Sequence, residues 1–154
     1  MSAEDRIKEL NLDLSHPPKP IANYVPATQV GNVVYLSGHG PLKADGTLVV
    51  GKVGSDLSAE EAYDAARVVG IGLLASLRAH LGSLDRVKKV VKTLGLVNTT
   101  PDFKQHPFVI NGTSDLFRDV FGDVNGRGAR SAVGMASLPD QIPVEVEMII
   151  EINK

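Results

Sequence analysis

The stretch Val144–Ile152 constrains this chain more than any other. Val144, Val146, Met148, Ile150 and Ile152 alternate with Glu145, Glu147, Ile149 and Glu151. A period of two puts the sets on opposite sides of an extended strand, so one face belongs in a core and the other is mostly polar. Such a strand requires a sheet whose apolar face is covered by a second layer.

Two long helical patterns can supply that cover. Ser58-Ala59-Glu60-Glu61 reads as a capping box, and its helix should run to about Leu81 with Gly82 at its end. Ala62, Ala65, Ala66, Val69, Leu73 and Leu77 recur at three and four residues and form one apolar face. The second helix should span about Pro107–Phe121, with Val109, Thr113, Leu116, Phe117 and Val120 on one face and Gly122 as its cap. A shorter helix starts at Ser2, with Glu4 and Asp5 in its first turn and Ile7, Leu10 and Leu14 at helical spacing. It should end before the run His16-Pro17-Pro18-Lys19-Pro20.

Tyr24–Val30 and Asn32–Ser37 read as strands joined at Gly31-Asn32, and the apolar run Val33–Leu36 suggests burial on both faces. Thr47–Val50 reads as a short strand and Val87–Val97 as a long one. Arg130–Ser137 and Val144–Ile152 read as a closing hairpin, with Pro139 and Pro143 bracketing its turn. The order is a helix followed by β-β-β-α-β-α-β-β. The expected fold is an α+β two-layer sandwich, with a mixed or antiparallel sheet and two long helices on one face. Residues 1–20 form a helical leader and proline-rich connector, and residues 21–154 form the main domain.

The 154 residues make about one domain. The absence of cysteine excludes disulfides, thiolate catalysis and cysteine-ligated metals. Among His16, His39, His80 and His106, no two are spaced as a local metal pair. A net charge of −2, no tryptophan and 5% aromatics argue against nucleic acid as a partner. No apolar run is long enough to span a bilayer, and Met1–Leu14 lacks a secretory pattern, so a cytoplasmic location is expected.

The chemistry must then come from a few polar groups. Arg130 lies early in a strand of small and apolar residues, with Ala132 and Gly134 leaving room on its face. Its guanidinium either pairs with a glutamate of the last strand or grips a ligand carboxylate. Glu145 and Glu147 share a face, either as solvated charges or with one placed to orient a water. Ser37-Gly38-His39-Gly40 ends a strand as a turn or a binding loop, where His39 is a proton-transfer group or a polar loop tip. Asn111, inside a helix, is either exposed or used. Tyr24 reads as a core aromatic with its hydroxyl at the surface.

These residues resemble the YjgF/RidA family, also called L-PSP endoribonuclease-like. The carrying segments are Gly31–Gly38, Leu84–Lys92, and Ala129-Arg130-Ser131-Ala132-Val133 followed by Leu138-Pro139 and Val144-Glu145-Val146-Glu147. The resemblance implies a chorismate-mutase-like fold and a homotrimer with clefts between subunits. It also implies hydrolysis of reactive 2-imino or enamine acids to 2-keto acids and ammonia, without a cofactor. In that scheme Arg130 holds the substrate carboxylate and Glu145 activates water. Tyr24, Ser37, Gly38, His39, Asn111 and Ala132 line the pocket around the small carboxylate-bearing substrate. Archetypal members often carry cysteine where this chain has Ala132 and glutamine where it has His39. A non-catalytic trimer that binds small carboxylates is the competing expectation, and a ribonuclease is the third.

Overall fold

A computed structural model describes residues 1–154. The elements are α1 (Ala3–Glu9), β1 (Ala27–Val30), β2 (Val33–His39), α2 (Ala59–Leu81), β3 (Val87–Asn98), α3 (His106–Asn125), β4 (Ala129–Met135) and β5 (Val144–Ile152). They form one five-stranded sheet in the order β1-β2-β5-β3-β4. All pairings are antiparallel except β3 with β4, which is parallel. α2 lies over β2 and β5, and α3 over β3 and β4, so both long helices cover one face.

The alternation in β5 appears as expected. Val144, Val146, Met148, Ile150 and Ile152 are buried beneath the helices, while Glu145, Glu147, Ile149 and Glu151 face the other way. α2 is capped by the Ser58 hydroxyl, which accepts from the Glu61 amide at 3.1 Å. Of the expected box only this half forms, and the complete reciprocal box is at Ser2 and Asp5. α3 breaks at Gly122, whose φ of 87° is open to glycine at little cost. α1 packs on the main body: Ile7 and Leu14 belong to the same core as the two long helices. Leu14 does so from beyond the end of the helix, which stops at Glu9.

Three expectations fail. β4 and β5 are not a hairpin: α3 carries the chain across, β4 pairs parallel with β3, and β5 returns between β2 and β3. Thr47–Val50 is not a strand, because that loop makes only an isolated bridge between Leu42 and Leu48. β2 is buried on one face only, since Val34 and Leu36 are covered whereas Tyr35 is 45% exposed. No helix is long and apolar enough to cross a membrane.

Candidate functional site

Arg130 points to the helix side of the sheet. Its Nη1 donates to Asn111 Oδ1 at 2.8 Å and to Ser114 Oγ at 3.2 Å, and its Nη2 donates to the Pro107 carbonyl at 3.3 Å. Pro107, Asn111 and Ser114 follow a four-then-three spacing, so one face of α3 holds the guanidinium. Every one of these acceptors is neutral. The expected pairing with a glutamate of β5 is absent, and Arg130 forms no ion pair. Burial pulls its pKa down, against the opposing field of Asp115. The result is a half-buried, oriented cation with no counter-carboxylate. It borders a cleft of about 260 Å³ shared with Asn111, Ser114, Asp115, Arg118 and Arg127. Ala132 is partly buried against the core.

Glu145 is on the opposite face. It lines a cleft of about 230 Å³ with Tyr24, Gly38, the connector residues Pro18 to Pro20 and the adjoining Ile21. A Cβ at Gly38 would lie 3.0 Å from the Glu145 carboxyl carbon, so glycine there makes room for the carboxylate. Burial pushes the Glu145 carboxyl above the usual carboxylate range, and the like charge of Glu147 pushes the same way. A carboxylate whose proton affinity is raised toward neutrality is suited to take a proton from water.

Tyr24, Ser37 and His39 fall around this second cleft, whereas Asn111 belongs to the first. Tyr24 is not a core aromatic: it is 42% exposed and lines the cleft. Ser37 braces that wall, its hydroxyl donating to the Val25 carbonyl at 2.6 Å and its amide to the Pro26 carbonyl at 2.9 Å. His39 is not a loop tip but the last residue of β2, and it is 6% exposed. Its Nδ1 is 2.6 Å from the Ser37 carbonyl and its Nε2 is 2.7 Å from Ser76 Oγ on α2. Burial lowers its pKa, so the ring is a neutral tie between the β2 bulge and α2. Asn111 is used rather than idle, as a receiver for Arg130.

Sequence reasoning missed Ser114 and the Pro107 carbonyl as Arg130 acceptors, and the connector as a cleft wall. The spacing from Asn111 to Ser114 on one helix was the available signal for the first. No cluster of three or more histidine, aspartate and glutamate side chains converges to hold a metal.

Arg130 and Glu145 do not meet in one chain. Thr93 of β3 pairs with both Arg130 and Met148, whereas Leu96 pairs with both Val133 and Glu145. The two residues are thus three positions apart along the sheet and two strands apart across it. That is about 14 Å at strand spacing, with the side chains pointing to opposite faces.

A family model for YjgF/chorismate mutase-like proteins, described as candidate endoribonucleases, matches residues 4–149. The chain belongs to this family. Protein TCP17 of Trypanosoma cruzi is 39% identical over 147 residues, covering 96% of this chain and 92% of that protein. The crystal structure of protein Atu1372 from Agrobacterium tumefaciens, of unknown function, superposes with a TM-score of 0.88 at 42% identity. It covers 99% of this chain and 94% of that one. A 2-iminobutanoate/2-iminopropanoate deaminase of Dermatophagoides farinae is 29% identical over 137 residues, covering 88% of this chain and 91% of that protein. The two-layer sandwich is accordingly the chorismate-mutase-like fold of this family.

Proposed function

We propose that this protein hydrolyses reactive 2-imino and enamine acids to 2-keto acids and ammonia, in clefts between the subunits of a homotrimer. The observation that carries the reading is the Arg130 guanidinium, oriented by neutral acceptors and lacking a carboxylate of its own. A fixed fork of donors with no carboxylate bonded to it is suited to an α-carboxylate. The deaminase name of one relative points to the same substrate class. Because Arg130 and Glu145 face opposite ways, a small substrate touching both must lie between two copies of the chain.

The protonated imine is already electrophilic, so the protein needs to orient it and place a water. Glu145 takes a proton as the water oxygen bonds to C2, which forms a carbinolamine. It returns that proton to the nitrogen. The C–N bond then breaks with its electron pair on nitrogen while the hydroxyl gives its proton to Glu145, which passes it to the departing ammonia, and 2-keto acid and ammonium leave.

An amino-acid oxidase can generate 2-imino acids in situ, and their loss can be followed directly. Wild type should accelerate that loss, and Arg130→Ala should lower kcat/KM by about 100-fold or more, as removal of an oriented charge contact does. Equal rates for both proteins across several imino acids would end this reading. The pH profile offers a second check. With Glu145 as base, activity rises with pH through its raised pKa. Glu147→Gln removes a like charge that raises it. The acid limb should therefore move to lower pH, and an unmoved limb would take Glu145 out of the base role.

A further inference from the structure

We infer that the Glu145 cleft selects imino acids with a branched aliphatic side chain over those with a methyl group, and that Ile21, directly after the connector, is the selecting residue. This rests on the imino-acid reading above and names the side chain that reading leaves open.

The cleft has two chemically distinct kinds of lining. One is the Glu145 carboxylate, complementary to a protonated imine nitrogen. The other is an apolar wall of Pro18, Pro20, Ile21, Leu42, Leu48 and Ile142. The remaining charged lining groups are Lys19 and Asp140, of opposite sign, which leaves no net charge to receive an anionic side chain. A methyl group would leave this wall in contact with water. An isobutyl group would cover it, and each added methylene in an apolar pocket can raise discrimination about 10-fold or more. Ile21 is 81% exposed, against 38% for Leu42 and 5% for Ile142. With Tyr24 at 42% and Leu42 at 38% exposed in the same lining, it forms an open apolar patch beside a carboxylate, the kind of surface that a ligand covers. Because it lies outside the core, changing it leaves the packing of the domain intact.

Two measurements test this, one of which requires no turnover. Calorimetric binding should favour 4-methyl-2-oxopentanoate over pyruvate by at least about 10-fold in wild type, the lower bound for three added carbons. Ile21→Asp should bring that ratio close to one. In the oxidase-coupled assay, the kcat/KM ratio of the corresponding imino acids should fall in parallel. If wild type binds both keto acids equally, or binds neither, the inference is overturned. A ratio unchanged by Ile21→Asp also overturns it. So does a loss of the oligomer with that variant by light scattering, because a second copy then covers the residue. If the binding preference holds and collapses in the variant while no imine is hydrolysed, the selectivity stands and the deaminase reading falls.

Discussion

Subunits carrying Arg130→Ala and subunits carrying Glu145→Gln are each expected to be nearly inactive alone and to recover activity when co-expressed. The reason is geometric. The two groups are about 14 Å apart on opposite faces of one sheet, at strand spacing. If one site takes Arg130 from one subunit and Glu145 from its neighbour, a mixed cyclic trimer contains one site with both groups intact. Random mixing in equal amounts gives the correct pair at about one quarter of interfaces, since each partner is right about half the time. Activity should therefore return to about a quarter of wild type in the random mixture, and to about a third in isolated mixed trimers, measured by imine loss. Mixed trimers that recover nothing would show that the two residues do not serve one shared site.

The second large effect concerns the fold. Gly112→Val should destabilise the protein by about 3 kcal/mol or more, the upper range for overpacking a rigid contact. α2 and α3 cross at this point, and a Cβ on residue 112 would overlap the Tyr63 carbonyl oxygen. It would also lie 2.9 Å from the Ala66 Cβ and 3.0 Å from the Arg67 amide nitrogen. These are mostly backbone atoms within a helix and cannot give way. The crossing is tied further by Thr113 Oγ1, which donates to the Ala66 carbonyl at 2.6 Å, and by the Tyr63 hydroxyl, which donates to Asp115 at 2.7 Å. For a domain of this size the melting temperature should fall by about 6–12 °C. Gly72→Ala is the control, because a Cβ there comes nearest to the edge of the Pro18 ring at 3.3 Å, in a surface segment that can give by a few tenths of an ångström, and to the His39 ring at 3.8 Å. That change should be neutral or mildly stabilising through helix propensity. A Gly112→Val protein with an unaltered urea midpoint would refute this account of the crossing.

Strand and helix identity were legible in the sequence because they are written in local periodicity. The alternation from Val144 to Ile152 and the three-four spacing from Ala62 to Leu77 are properties of short windows. Strand partnership is not. The short link from Met135 to Val144 suits a hairpin, yet β4 finds its partner in β3, which precedes it in the chain and is joined to it through α3. The same limit applies to the site. Arg130 stands out because a lone guanidinium among small residues has few structural uses. His39 does not, because a histidine beside glycines gives no sign that Ser76, on a helix 37 residues away, will receive its ring. The cleft wall formed by Pro18 and Ile21 was also hidden, since a proline run indicates stiffness but not direction.

The position of β5 has a consequence for biogenesis. It is the last strand in the sequence and the middle one in the sheet. While the chain is still emerging from the ribosome, the β1–β2 pair and the β3–α3–β4 unit have no shared edge. Each carries half of an uncovered apolar surface. Only the final strand, inserting between them, joins the halves, and pairings this distant in sequence form slowly. Glu145 arrives on that same strand. A nascent chain thus acquires Glu145 in the step that closes its core, so an unfinished chain has neither a complete sheet nor the carboxylate wall of the cleft.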